Sequence, residues 1–579
     1  MRLELRGWLW FCAPACAFVV VVYLVPLGLL FANSFTQPQL GFANYGELFG
    51  SIGYLRTILR TLEISAIATI LALVLGYPLA YAIATAGARW RLFLTLCVIT
   101  PYVTSTLVRS FAWLVILGRD GPLNRLVEAL GLGSHELLFT PFAVAIGLTH
   151  YLLPLMVLPL VSVMSQVPGN LVPAAESLGA GPAVAWFRVY LPQTRSGIEA
   201  GVVLCFVYGV GSFVIPSILG GNAGQMIGDS IQSAIMQRAD YGFASAAAAL
   251  LTACVVVILL LYTRWFGGSL ETLAAPASAV AGDSRQHLRA SVPAMTRLLT
   301  ASLRRLDASG LSRKRWLLDA WSIGVGLFLL VPQFIAIPVS FSSSRAMVVP
   351  PPGWSLQWYQ NLATQAWSRP FLTSIEVAIV VALLATVLGA LAAIGVARSR
   401  GTLSNVAHSL MLLPLLFPTV VAAAALFITF FPLYLTDSRL GLMLAHTTLA
   451  LPFAFIVILA SARKLDLRLD DAAASLGAGA WKRLSRITLP LLQTSLVVTL
   501  FLAFMTSFDE TAVAIFLSGV HVSTLPVQMY NSLTIESDPT IAAAAVVIMI
   551  IAGLGLGFAP ALRTTAGRGL RLTGGRILK

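Results

Sequence analysis

The sequence predicts an all-α polytopic membrane protein of about twelve transmembrane helices, arranged as two homologous, parallel six-helix halves. Three observations carry that expectation. Of the 579 residues, 58% are hydrophobic and 10% charged, whereas a soluble chain carries roughly 25% charged residues. Apolar runs of about 20 residues, the length that crosses about 30 Å of hydrocarbon, recur along the chain. One stretch is also written twice: AAESLGAGPAVAWFRVYLPQ, from Ala174 to Gln193, returns as AAASLGAGAWKRLSRITLPL, from Ala472 to Leu491.

Taken in order, the apolar runs lie at 8–32, 58–86, 92–118, 138–163, 197–219, 243–266, 316–341, 371–397, 404–431, 441–462, 491–518 and 538–561. They must be helices, because lipid offers the backbone no hydrogen-bond partners and the alternation of barrel strands is missing. The first run opens with Arg2 and Arg6, contains Pro14 and Pro26 and shows no small-residue cleavage site, so it reads as a retained helix rather than a signal peptide. The five cysteines, Cys12, Cys16, Cys97, Cys205 and Cys254, all lie inside apolar runs without the paired spacing of zinc or haem sites. They read as packing residues, and no metal site is expected.

A net charge of +14 suggests nucleic acid in a soluble protein, but here the charges sit at particular helix ends. Arg89 and Arg91 follow the second run, Arg188 and Arg195 the fourth, Arg398 and Arg400 the eighth, and Arg463, Lys464, Arg468, Lys482, Arg483 and Arg486 the tenth. The positive-inside rule then puts both termini, both repeated stretches and the central linker in the cytoplasm of a multi-pass inner-membrane protein, with no nucleic-acid partner.

The repeat extends beyond that stretch. TLEISAIATILALVLG (Thr61 to Gly76) matches SIEVAIVVALLATVLG (Ser374 to Gly389), with Glu63 facing Glu376 and Gly76 facing Gly389. The chain therefore divides into a first half at 1–266, a linker at 267–315 and a second half at 316–579. Six spans per half give both halves the same orientation. Nine basic residues from Arg264 to Arg315 stand against Glu271, Asp283 and Asp307. Within the linker, AMTRLLTASLRRL (Ala294 to Leu306) suits either a helix in the headgroup zone or a flexible tether near anionic lipid.

Each copy of the repeated stretch joins a short helix-forming run to a Gly-Ala-Gly break and a second helix that closes on Leu-Pro. Glycine permits a turn that other residues resist, and proline suits the first turn of the next helix, where its missing amide proton has no partner. The product is a cytoplasmic elbow, one per half, shaped to enter a partner's groove.

Both copies resemble the cytoplasmic loop of the permease subunits of type I ABC importers: Glu-Ala-Ala, three residues, Gly, and Leu-Pro about a dozen residues on. The resemblance places Ala174, Ala175, Gly179, Arg188, Leu191 and Pro192, and in the second copy Asp471, Ala472, Ala473, Gly477, Arg486, Leu489 and Pro490, in ATPase coupling. Pro173 stands where the family has Glu, and Asp471 fills that place in the second copy, which makes the two docking sites unequal. LVRSFAWLVILGRDGPLN (Leu107 to Asn124) and GSFVIPSILGGNAGQMIGDSI (Gly211 to Ile231) resemble the first permease subunit of spermidine/putrescine importers. SFDETAVAIFLSG (Ser507 to Gly519) and TLPVQMY (Thr524 to Tyr530) resemble the second. The chain is thus similar to both subunits fused, in the type I ABC importer permease fold.

That resemblance implies two copies of a separate cytoplasmic ATPase bound to the elbows, with ATP and Mg²⁺ on that partner. It also implies an extracytoplasmic binding protein that delivers a small-molecule solute, and alternating access driven by ATPase closure. The chain lacks a G-x-x-x-x-G-K-[ST] phosphate loop, so neither a cofactor nor ATP hydrolysis by that route is expected of it, and it is not read as an enzyme.

Ionisable groups inside spans are costly and usually face a bundle interior or a wet cavity. Glu63 and Glu376 lie near the outer ends of matching spans, Arg109 inside the third, and Asp509 and Glu510 in the eleventh. The acidic pair reads as a cation-attracting site or as a packing pair neutralised by Arg109 or by protonation. Ser212 stands where the family's first subunit often has Glu, which thins the acidic lining. Arg56 and Arg60 stand within two turns of Glu63, the spacing of helix-surface pairing, and Arg109 suits either structure or carboxylate and phosphonate recognition. Tyr102, Trp113, Tyr208 and Phe508 offer faces for an organic cation, or ordinary packing. The functional expectation is a permease for an amine-bearing, polyamine-like solute, with ferric ion, thiamine, an aminophosphonate or an opine as alternatives on the same architecture. A secondary transporter would leave the elbows without a purpose, and a scaffold would leave the buried acids unexplained.

Overall fold

The computed structural model describes residues 8–133, 135–266, 315–399, 401–536 and 538–554. The linker stretch 267–314, with its amphipathic run, lies outside the described residues, as do residues 1–7 and 555–579 at the termini. Among the described residues there is no strand, only an isolated bridge between Ser342 and Trp354.

In the first half, α1 (Trp8–Thr36) and α2 (Ile52–Thr85) are unbroken apolar spans. The third apolar run is a bent pair, α3 (Ala88–Val103) and α4 (Thr106–Leu117), turning by 96° after Tyr102. Helix α5 (Pro141–Met164) spans again, followed by the short α6 (Leu171–Ser177). The fifth run divides into α7 (Arg195–Gly211) and α8 (Val214–Leu219), broken at Ser212–Phe213, and α9 (Tyr241–Phe266) ends the half.

The second half repeats this plan. Spans α10 (Arg315–Ser340) and α11 (Gln365–Arg398) lead to another bent pair, α12 (Thr402–Leu412) and α13 (Thr419–Phe430), which also turns by 96°. Then come α14 (Arg439–Ala462), α15 (Leu467–Ser475), α16 (Leu489–Phe508), α17 (Ala512–Leu517) and α18 (Thr540–Leu554). Each of the twelve predicted runs contains helix among its described residues, yet only eight of the described helices are long and apolar enough to cross alone, or ten if each bent pair counts as one span. Proline sits at the breaks: Pro101 before the first bend, Pro414 and Pro418 at the second, where its ring and missing N–H interrupt the ladder. Inside a protein-packed membrane bundle such breaks are tolerated because neighbouring groups satisfy the freed backbone.

The compact units do not follow the sequence halves. One comprises 1–51, 228–249 and 337–579; the other comprises 52–227 and 250–336. Each half thus contributes its leading helix to the unit that holds the rest of the other half.

Within each unit a matched glycine lets two helices approach closely. A β-carbon at Gly76 would lie 3.1 Å from Val157 and 3.2 Å from Leu153 on α5; one at Gly389 would lie 2.8 Å from Ala454 and 3.1 Å from backbone atoms of α14. Small residues that let helix backbones approach are the main adhesive in lipid, where there is no apolar driving force between helices.

Candidate coupling elbows and buried polar groups

Both repeated stretches fold as the predicted elbows, and in the same way. Helix α6 ends at Leu178, and Gly179 takes φ +89°; its amide donates to the Glu176 carbonyl (3.0 Å), and the Ala180 amide reaches back to Ala175 (3.2 Å). Helix α15 ends at Leu476, and Gly477 takes φ +80°; its amide bonds Ala474 (2.9 Å), and that of Ala478 bonds Ala473 (3.0 Å). These six-to-one closures are the left-handed helix terminations that glycine makes without a β-carbon penalty. The return helices, Pro182–Ala185 and Ala480–Arg483, each widen into a π turn, Trp186–Tyr190 and Leu484–Thr488. The amides of Leu191 and Leu489 bond five residues back, to Trp186 and Leu484. The next residue, Pro192 or Pro490, has no amide to continue an ordinary turn.

The predicted coupling residues lie along these elbows. Arg188, Pro192, Asp471, Ala472, Gly477, Arg486 and Pro490 are exposed, as are Ala174 and Gly179, while Ala175, Ala473, Leu191 and Leu489 are half-buried. Sequence reasoning missed the crest residues: Leu178 is 89% exposed and Leu476 88%. Their matched place one residue before each glycine was the available signal.

The elbows differ in how they are held. In the first, Tyr77 bonds the Thr194 hydroxyl at 2.8 Å, and Thr194 donates to the Leu191 carbonyl. Trp186 meets the edges of Tyr77 (5.6 Å) and Tyr81, and Tyr190 meets Tyr81 at 5.0 Å. The second elbow is held by charge. Asp470, buried beside the exposed Asp471, lies 3.3 Å from both Arg398 and Arg483, and Arg398 also donates to Thr488 at 2.6 Å. Asp470 was not singled out from sequence, where it is indistinguishable from its neighbour.

The buried polar groups divide between the two units. In the second half, both Glu510 oxygens are occupied: they accept from the amides of Val513 (3.0 Å) and Ala514 (2.9 Å) at the start of α17, and His446 lies 3.6 Å away. His446 in turn bonds Ser507 at 3.0 Å. Asp509 is half-buried. Phe508 is fully buried against Phe371 and Phe504, which is a packing environment. Glu376 pairs at 3.3 Å with Arg439 on the neighbouring α14.

In the first half, Glu63 is exposed, and the expected surface pairing with Arg56 or Arg60 is not formed; free rotamers in water compete with such exposed pairs. Arg109 is buried, bonds Thr106 at 3.2 Å and lies 4.8 Å over the Tyr151 ring. Trp113 packs on His150 and Phe328. Tyr102, Tyr208 and Ser212 are half-buried, with Ser212 at the α7–α8 break.

Just before α14, Asp437 ties two loops together. It accepts from the amides of His521 (3.0 Å) and Val522 (2.7 Å) and from the His521 ring at 2.7 Å. Partial burial would raise its carboxyl, but the His521 side chain and those two amides outweigh it and hold the group below the usual carboxylate range.

Among known proteins, the family described as binding-protein-dependent transport system inner membrane component matches the chain twice, over residues 72–270 and 385–559. The spermidine/putrescine transport system permease protein PotB of Haemophilus influenzae is 34% identical over 235 residues, covering 40% of this chain and 82% of that one. The putrescine transport system permease protein PotI of Escherichia coli is 32% identical over 235 residues, covering 39% and 83%. A solved bacterial ABC transporter involved in alginate import is 20% identical, with a TM-score of 0.40 over 45% of this chain and 95% of that one. Two matched modules account for the duplicated elbows, glycines and bends, and the chain belongs to the binding-protein-dependent transport system inner membrane component family, as two type I ABC importer permease halves fused in one polypeptide.

Proposed function

We propose that this chain is the membrane permease of an importer that takes a small, amine-bearing solute from an extracytoplasmic binding protein and moves it inward by alternating access. A separate ATPase carrying ATP and Mg²⁺ drives the movement, one copy on each elbow. The observation that carries this reading is the pair of turns, closed by the same hydrogen bonds and a positive-φ glycine, that leave Leu178 and Leu476 almost fully exposed. An apolar side chain at the tip of a rigid turn, on an elbow that also exposes Arg188 or Lys482 and Arg486, suits insertion into a partner groove, where a desolvated anchor supplies most of the affinity. The polyamine assignment draws support from the names of PotB and PotI. Asp509, a half-buried member of the acidic pair, is the residue assigned here to a cationic solute, by the same charge argument that marks the pair in the sequence.

The test is purification of the chain with its co-expressed operon partners. We expect two ATPase copies per chain, one copy for Leu178→Asp or Leu476→Asp alone, and none for the double variant. Unchanged stoichiometry in the double variant would overturn the reading. Uptake of radiolabelled putrescine by the reconstituted complex is expected to compete with spermidine and to fall at least tenfold in Asp509→Asn. Competition by an aminophosphonate or thiamine instead would replace the cargo.

A further inference from the structure

The second elbow rests on a buried cluster with no equivalent in the first. Arg398 closes the last turn of α11 and Arg483 ends the return helix of the elbow, with the Asp470 carboxylate between them. The Trp8 ring covers the cluster: the Arg398 guanidinium lies 4.1 Å and that of Arg483 5.9 Å from its centre. Asp470, Arg483 and Trp8 are all under a tenth exposed. The start of α1 reaches this place because position 395 is glycine: a β-carbon there would lie 2.5 Å from the Cys12 sulfur and 2.9 Å from the Trp8 carbonyl oxygen. Two guanidiniums share one carboxylate, which leaves one positive charge to be stabilised, and the electron-rich indole face together with the carbonyl end of α11 supply that.

In repeat register, Arg398, Asp470 and Arg483 correspond to Thr85, Val172 and Ala185, none of them ionisable. The first elbow is fixed instead by the Tyr77, Tyr81, Trp186 and Tyr190 rings.

We propose that Trp8, Arg398, Asp470 and Arg483 are positioning residues that form an ionic latch between the second elbow and α11, so that the start of α1 takes part in transmitting ATPase closure in one half and not in the other. This deepens the proposed function and rests on it for the driving force, while the latch itself is testable without any partner. Removing one member of a buried charged group strands the others, so the latch fails as a unit. A phenyl ring at position 8 keeps a face for the guanidiniums; an aliphatic side chain does not.

The experiment is hydrogen exchange by mass spectrometry on the full chain in nanodiscs. For Asp470→Asn and Trp8→Leu, amide exchange across 467–488 is expected to accelerate at least tenfold, with 171–193 unchanged, and Trp8→Phe is expected to match wild type. With the co-purifying ATPase added, MgATP plus vanadate is expected to change exchange at 518–524 in wild type and in Trp8→Phe. That response should disappear in Asp470→Asn and Trp8→Leu while the ATPase remains bound in the same ratio. Equal acceleration in both elbows, no acceleration, or Trp8→Phe behaving as Trp8→Leu would each overturn the latch. A wild-type chain that binds no ATPase would overturn the proposed function and leave the partner-free arm standing.

Discussion

At Gly179 and Gly477 a β-carbon would find open space, yet the backbone sits at φ +89° and +80°. The constraint is conformational, so substitutions should follow left-handed tolerance rather than size: Asn visits that region, and a β-branched residue does so only under strain of roughly 1–2 kcal/mol. Gly477→Asn is expected to keep most transport, whereas Gly477→Val should lower it at least tenfold at equal membrane abundance, measured as uptake per molecule. Glu510 carries a second prediction at this scale. Because both oxygens cap α17, Glu510→Ala should cost about 1 kcal/mol of stability, read as a lowered melting temperature in detergent. Sequence showed Glu510 as an acid in a span, but which atoms face its oxygens depends on a helix break that proline and glycine rules did not locate. Asp470 and Asp471 show the same limit. Neighbours on a helix diverge by about 100°, so one carboxylate faces the core and the other faces water.

Elements were legible to the extent that length and hydropathy define them. Proline accounts for most departures: π turns end at Val25, Leu191 and Leu489, each immediately before a proline, and the two 96° bends flank prolines as well. Periodicity locates an apolar run but not the angle at which its pieces meet. The loop staple formed by Asp437 was also hidden, since its partners lie more than eighty residues away in sequence. Its pH response follows from the depressed carboxyl. A lowered folded-state value means that the staple is fully stabilising above the ordinary carboxylate range, about pH 4, and is lost as pH falls through the lower folded value. Amide protection at His521 and Val522 should therefore hold at pH 5 and disappear only in stronger acid. Asp437→Asn should reduce protection at neutral pH.

For the whole molecule, duplication and membrane character were readable because they rest on repeats and composition, which do not depend on packing. The exchange of leading helices between the compact units was not readable, since α1 and α10 carry the same apolar signal wherever they dock. It makes a clear prediction. Fragments 1–266 and 316–579 expressed alone should each lack a packing helix and be degraded or aggregate, whereas co-expression should restore a complex that co-purifies through a tag on either piece.

The backbone contact at Gly389 has a mechanical corollary. Where Ala454 touches α11 without an intervening side chain, no rotamer can yield, so α11 and α14 resist sliding and behave as one stiff strut. Helix α14 has 24 residues, roughly 36 Å of rise, with the second elbow at its foot and the Asp437 staple at its head. A thrust delivered at the elbow end would arrive at the far end with little compliance lost along the way.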